Sequence, residues 1–327
     1  MDYNVLAGSR FRIEMIKSLG LKGKSALAVL RAVFQLPYSF FSAGCLIYRF
    51  KPDLVIGVGG YVTGPVLLAA RLMGIPTCIH EQNSVPGLAN RILGKIVHRI
   101  CISLKFSEHF FPKRKTVLTG NPVRRDLLQK AQAEKKGTRE GNTLLILGGS
   151  QGAHRVNELV VQAIVFAAEA LPDSLKVIHQ TGPRDKQWVR ETYKKAQVDA
   201  DVRGFFDDMA EVYARADLVI SRAGATTLAE IKVFGLPSIL IPYPFAADGH
   251  QEKNALCLVE AGAARMYSEK DLTARMLGEN IAELSRNQLK REEMGAYSKA
   301  QAQPEATENI VDECLDLMKI KRTLSVR

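Results

Sequence analysis

Three glycine-rich turns hold the residues that could do chemistry. Gly57-Val-Gly-Gly-Tyr-Val-Thr-Gly64-Pro65, Gly148-Gly-Ser-Gln-Gly152-Ala153 and Ser221-Arg-Ala-Gly224-Ala-Thr-Thr-Leu-Ala-Glu230 each follow a short apolar run and open a helical pattern. Backbone N–H groups at such a turn can approach an anion closely, and the helix dipole favours negative charge there. Ser150 adds a hydroxyl to the second turn, which suits a diphosphate better than a carboxylate. That turn lacks the lysine of a Walker A loop, so backbone dipoles rather than a lysine and magnesium would hold the anion. The first turn is not G-x-G-x-x-G followed by an acid after the next strand, which disfavours a nicotinamide cofactor. Glu230 falls one helical turn after Thr226, where a carboxylate could accept hydrogen bonds from a ribose diol. Plainer roles stay open for each: a tight turn needing positive φ for the glycines, and helix-dipole satisfaction for the glutamate.

The elements that must position these turns read as βαβ units. Asp53–Gly57, Thr77–His80, Thr143–Gly148, Lys176–His179, Asp217–Ser221 and Ser238–Pro242 are short apolar runs of the kind buried in parallel sheets, separated by helices of ten or more residues. The charged stretch Gln129–Asn142 divides them into two Rossmann-like sets, a loop within one domain being the alternative. Pro304 precedes a final amphipathic helix carrying Ile310, Val311, Cys314, Leu315, Leu317 and Met318.

Composition narrows the class. Residues 1–125 carry 18 Lys and Arg against 5 Asp and Glu, a net +13, while the rest carries 27 against 29. A positive first half suits an anionic membrane face, a polyanion or a phosphorylated substrate. Nucleic acid is disfavoured, because no helix-turn-helix, zinc-finger or RNP pattern accompanies the charge. Five scattered cysteines without C-x-x-C spacing fit reduced thiols in the cytosol, and charges through the first twenty residues speak against a signal peptide. Residues 25–50 are the most apolar segment, but Arg31 and Pro37 spoil a membrane span. With Phe34, Tyr38, Phe40 and Phe41 it reads equally as an interfacial helix or as a core helix on the sheet.

His80-Glu-Gln-Asn83, Gly120-Asn-Pro-Val-Arg124, Gly148-Gly-Ser-Gln-Gly152, Arg222-Ala-Gly-Ala-Thr-Thr-Leu-Ala-Glu230 and Asp248-Gly-His-Gln251 with Asn254-Ala255 resemble the MurG family in order and spacing, over essentially the whole chain. That family moves N-acetylglucosamine from UDP-N-acetylglucosamine onto undecaprenyl-diphospho-N-acetylmuramoyl-pentapeptide (lipid I), giving lipid II. The resemblance implies an α/β, GT-B architecture, two Rossmann-like domains with parallel sheets facing a central cleft. Residues 1–124 would face acceptor and membrane and 125–303 would bind the UDP-sugar, with a helix at about 304–327 returning to the first domain. Asn83 would contact the donor sugar, Arg124 and Ser150 the diphosphate, and the Phe206 backbone the uracil. Ala225, Thr226, Thr227, Leu228, Ala229 and Glu230 would cradle the nucleotide, with Glu230 on the ribose, and Gln251 would bind sugar hydroxyls. No metal or cofactor is implied. Implied partners are the two substrates, the anionic cytoplasmic face of the bacterial inner membrane and other cell-wall synthesis proteins.

One departure stands out. The family's G-G-T-G-G-H loop, whose histidine is a catalytic candidate, is absent here; the sequence starts near Gly20-Leu-Lys-Gly23-Lys24, which resembles a later turn. A missing strand and helix and an exposed sheet edge are expected. His80 and Glu81 then become candidate bases, with orientation of a buried strand end as their alternative role. A catalytically impaired UDP-sugar binder and a UDP-N-acetylglucosamine 2-epimerase-like enzyme are the competing functional readings.

Overall fold

The structure, a computed structural model, describes residues 11–16, 26–133, 142–149 and 152–325, with backbone alone for 26–36 and 320–325. The Gly20–Lys24 turn and Ser150 therefore lie outside the described residues. The first domain contains α1 (Ala26–Phe50), β1 (Val55–Gly57), α2 (Thr63–Leu72), β2 (Thr77–Glu81), α3 (Leu88–Leu93), β3 (Arg99–Ile102) and β4 (Thr116–Leu118). Its strands pair in parallel in the order β1-β2-β3-β4. Ile79, Ile100 and Ile102 pack with Leu67 of α2 and with Leu93 and Phe111 to form its core. At the sheet edge formed by β1, Ile56 is exposed.

The second domain contains α4 (Arg125–Ala133), β5 (Asn142–Leu147), α5 (His154–Phe166), β6 (Leu175–Gln180), α6 (Lys186–Lys195), β7 (Ala200–Arg203) and α7 (Met209–Arg215). It continues with β8 (Leu218–Ser221), α8 (Ala225–Phe234), β9 (Ser238–Leu240), α9 (His250–Glu260), β10 (Ala264–Met266), α10 (Ala274–Arg286) and α11 (Gln288–Ala300). Its parallel sheet runs β10-β9-β8-β5-β6-β7. Counting from β5, this is the 3-2-1-4-5-6 order of a dinucleotide-type fold, whose direction reverses between β5 and β8. Alternate residues feed two cores: Leu145, Leu147 and Val219 join one face, Leu144, Ile146 and Ile220 the other. Burial on both faces explains the unbroken apolar runs of the central strands.

All six runs read from the sequence form strands. The four strands missed, β3, β4, β7 and β10, are short, and three of them are edge strands; Ala200-Asp-Val-Arg203 and Ala264-Arg-Met266 carry charge because only one side of the ribbon is covered. The polar stretch beginning at Gln129 is helical as far as Ala133, since α4 buries Leu127 in the second core. Residues 26–50 form one helix that continues through Pro37. The core-helix reading holds for one face of this helix, and another face is left exposed. Ala43 and Ile47 pack against Ala69, Ala70 and Ile75. Phe41, Tyr48 and Phe50 are 72%, 71% and 72% exposed. A last helix, α12 (Ala306–Ser325), places Ile310 and Leu317 against Cys78 and Cys101 of the first sheet, with Arg99 paired to Glu313 at 2.9 Å.

Candidate nucleotide-sugar site

Ligands of open parallel sheets bind beyond the strand C-termini where strand order reverses. Here that crevice lies between β5 and β8, flanked by the second and third glycine turns. Gly149 and Gly152 take φ values of +79° and +78°, which side chains adopt at a cost. A Cβ on Gly148 would stand 2.8 Å from the Ala153 nitrogen, and one on Gly152 would strike the Thr181 carbonyl. Glycine therefore lets the loop fold tightly onto the start of α5. Neither Ala153 before α5 nor Gly224 before α8 caps its helix through a side chain. By contrast Asp208, Thr273 and Asn287 close the first turns of α7, α10 and α11. The helix starts flanking the crevice keep orphan N–H donors for an anion.

A buried polar network holds α5 in place. Asn157 donates to the Thr181 carbonyl at 2.9 Å and to Asp185 Oδ2 at 2.7 Å. Its Oδ1 accepts from His179 Nε2 at 3.1 Å, and His179 Nδ1 accepts from the Tyr193 hydroxyl at 3.1 Å. This arrangement fits a neutral imidazole, and burial pulls the His179 pKa down to about 3, weakly opposed by Asp185. Asp185 also accepts from His154 Nδ1 at 2.9 Å. Sequence reading passed over Asn157 and His179 because each sits inside a regular element without a local motif.

Across the crevice Glu230 accepts a 2.8 Å hydrogen bond from the buried Tyr213 hydroxyl. Burial raises the Glu230 pKa, while the Tyr213 bond and the Arg124 charge oppose the rise. Arg124, its side chain 54% exposed, lies 3.7 Å from Asp126 and close enough to Glu230 to act on it. Of the remaining nucleotide-cradle candidates, Leu228 and Ala229 turn their side chains into the core, so they can serve a ligand only through backbone; Ala225, Thr226 and Thr227 are more open. The Phe206 side chain is buried and its N–H is already given to Gln180 Oε1 at 3.1 Å. Gln180, absent from the sequence-derived set, also reaches the Gly149 carbonyl at 3.4 Å and so joins the glycine loop to the Phe206 loop.

A buried amide joins the first domain to the second. Asn254 Oδ1 accepts from both the backbone N–H and the hydroxyl of Ser84 at 2.8 Å. Its Nδ2 donates to the Ala223 carbonyl at 3.1 Å and to Asn83 Oδ1 at 3.2 Å. Asn83 thus stands at the junction, its N–H bonded to Glu81 Oε1 at 2.9 Å. Glu81 also takes Asn90 Nδ2 at 2.8 Å, and His80 Nε2 bonds the Gly120 carbonyl at 2.9 Å. Both side chains are buried, and burial lowers the His80 pKa. Their candidacy as bases therefore meets a steric obstacle: each is enclosed and committed to fixing the strand end. Gln251 accepts from the Tyr243 N–H at 2.9 Å, and Arg222 braces that loop through the Ile241 and Pro242 carbonyls, both at 3.1 Å. Arg222 is in turn bonded to Glu269.

Comparison with known proteins gives a consistent picture. A family model described as the glycosyltransferase family 28 N-terminal domain matches residues 2–102, and one described as the family 28 C-terminal domain matches 143–310. The UDP-N-acetylglucosamine–N-acetylmuramyl-(pentapeptide) pyrophosphoryl-undecaprenol N-acetylglucosamine transferase of Desulfotalea psychrophila is 48% identical over 97% of this chain and 86% of its own length. The Myxococcus xanthus protein of the same name is 43% identical over 97% of this chain and 82% of its own. The crystal structure of Acinetobacter baumannii MurG superposes with a TM-score of 0.77 at 32% identity, covering 97% of this chain and 88% of that one. A Listeria monocytogenes UDP-N-acetylglucosamine 2-epimerase, at 13% identity and a TM-score of 0.64, over 90% of this chain and 80% of that one, shares the fold alone.

Two outcomes follow from the buried polar groups. Replacing Asn254→Leu strands the Ser84 N–H and the Ala223 carbonyl in the interior and lowers unfolding free energy in urea by about 2–4 kcal/mol; a change under about 0.5 kcal/mol would mean that the junction is dispensable. An unfolded histidine titrates near about 6.5, so between that pH and about 3 the unfolded chain binds a proton that folded His179 refuses. The contribution of His179 is therefore complete above pH 6.5 and declines as pH drops toward 3. In urea titrations from pH 7 to 4, His179→Gln flattens this decline; an unchanged slope assigns it to other groups.

Proposed function

The chain belongs to glycosyltransferase family 28, in its MurG branch, and from that premise we propose that it transfers N-acetylglucosamine from UDP-N-acetylglucosamine to lipid I, making the peptidoglycan precursor lipid II. The observation that carries this reading is the crevice between β5 and β8, where two uncapped helix starts and the Glu230 carboxylate converge beside Arg124. Backbone amides suit a diphosphate, and a partly buried carboxylate suits a ribose diol.

In the reaction the acceptor hydroxyl oxygen attacks the anomeric carbon. The bond from that carbon to the β-phosphate oxygen breaks, UDP leaves with the electron pair, and the hydroxyl proton passes to a base. Direct displacement inverts the anomeric centre. Charge grows on the leaving diphosphate, so fixed amides and a guanidinium stabilise the transition state more than the ground state. We assign this work to the start of α5, with Ser150, and to Arg124. Gln251 and Asn83 bind the sugar from the two sides of the cleft, and the backbone of 225–230 holds the nucleoside. Phe206 reads the uracil once Gln180 yields its N–H. We divide the chain into an acceptor domain at 1–124, a donor domain at 125–303 and a returning helix at about 304–327. In support, Leu127 packs in the second core while Ile310 and Leu317 pack on the first sheet.

Among the described residues no helix is long and apolar enough to cross a membrane. We propose peripheral association with the cytoplasmic face of the bacterial inner membrane through the outer face of α1. A groove of about 560 Å³ between α1 and α2 is lined by Phe40, Phe41, Tyr48, Leu72 and Met73, with Arg49 on its wall. Exposed aromatics beside cations suit the headgroup layer of an anionic leaflet, and the positive excess of residues 1–125 points the same way. Other cell-wall synthesis proteins would meet the enzyme at that surface.

Incubating the purified chain with labelled UDP-N-acetylglucosamine and a short-chain lipid I analogue should yield the disaccharide lipid, and Arg124→Ala should cut kcat/KM by about 100-fold. Donor binding without transfer, or an epimerised sugar formed from donor alone, would defeat the proposed reaction. The double variant Phe41→Glu, Tyr48→Glu should weaken binding to phosphatidylglycerol vesicles by about tenfold or more while sparing transfer to the soluble analogue. Unaltered sedimentation with vesicles would remove α1 from the membrane face.

A further inference from the structure

Resting on the assignment of Glu230 to the ribose, we propose that Tyr213 is a positioning residue that sets the Glu230 carboxylate for recognition of a ribonucleoside over a deoxyribonucleoside diphosphate. Tyr213 is only 1% exposed and lies on α7, whose first turn is closed by Asp208. Its ring stacks on Phe234 with centroids 5.3 Å apart and planes 24° apart. The ring thus belongs to the core, where phenylalanine would pack as well. The hydroxyl is different: it donates to Glu230 Oε2 at 2.8 Å, across from α7 to α8.

A carboxylate offers about four lone-pair positions on two oxygens. The phenol takes one on Oε2, which fixes the side-chain torsion and leaves Oε1 for a vicinal diol. Only a ribose supplies both hydroxyls to that acceptor. Pre-setting the carboxylate on a helix held by core packing spares the ordering cost when the donor binds.

The phenol also keeps the carboxylate an acceptor. Burial raises the Glu230 pKa and the Asp126 charge adds to this, while the Tyr213 bond and Arg124, at the start of α4, resist. Tyr213 itself is pushed well above its ordinary pKa by burial and by the Glu230 charge, so it stays a donor throughout the working range. A protonated Glu230 would present a hydroxyl to the ribose and bind it poorly. Donor binding therefore weakens as pH falls through the raised Glu230 pKa, and removing the phenol moves that loss to higher pH.

The test compares Tyr213→Phe, Glu230→Gln and the double variant in the full chain. In Tyr213→Phe the KM for UDP-N-acetylglucosamine rises about tenfold near neutral pH while kcat changes less than about threefold. The preference for UDP over 2′-deoxy-UDP, read from inhibition constants, shrinks by a similar factor, and the acid limb of kcat/KM moves to higher pH. Adding Tyr213→Phe to Glu230→Gln produces no further loss. A Tyr213→Phe protein that only melts at a lower temperature, with ribose preference and acid limb intact, overturns the proposal and leaves the phenol as a core hydrogen-bond donor. Loss of preference in Glu230→Gln with wild-type behaviour in Tyr213→Phe likewise sinks the inference alone. Full ribose preference in Glu230→Gln would instead refute the assignment of Glu230 on which it rests.

Discussion

Because the strands of each sheet all run parallel, every strand-to-helix turn in a domain opens at the same edge, and the unpaired amides of several helices collect there. The interior cannot absorb such groups without partners. The molecule settles this conflict in two ways. At α7, α10 and α11 a side chain folds back and closes the first turn. At α5 and α8 it does not, and glycine clears the space in front. The starts of α2, α3, α6 and α9 also lack a side-chain cap, but only α5 and α8 flank the point where strand order reverses, where open amides suit an anionic ligand.

The same accounting explains the polar residues beneath and beside the cleft. Asn157 commits both amide hydrogens and its oxygen to Thr181, Asp185 and His179, which ties the start of α5 to the β6 strand end. Asn254 applies a similar saturation across the domains, spending its amide on Ser84, Asn83 and Ala223. Its four bonds run from 2.8 to 3.2 Å and tie Ser84 and Asn83 of the first domain to the second.

Much of this was legible in the sequence, for identifiable reasons. Buried central strands advertise themselves as apolar runs, and glycine turns mark places where the backbone takes positive φ or a Cβ has no room, so both the α/β class and the crevice-lining loops could be read directly. Edge strands such as Ala200–Arg203 could not, because one-sided burial permits charge. The candidate site was legible only as far as motifs reach. Glu230 and Arg124 stand in a motif and could be named as candidates; Tyr213, Gln180 and His179 owe their places to partners 17, 26 and 22 residues away in the chain, contacts that no local pattern encodes. Residues 26–50 show a further limit. Periodicity gave a helix with an apolar stripe on more than one side, and only the fold tells which side Ala43 and Ile47 take and which is left to Phe41 and Tyr48.

The final helix carries a mechanical consequence. The polypeptide crosses between the domains near Arg124 and crosses back before α12, which is fastened to the first sheet by Ile310, Leu317 and the Arg99–Glu313 pair. Two strings joining the same pair of bodies remove freedoms that one string would leave. A second crossing opposes the twisting that a single tether would leave free.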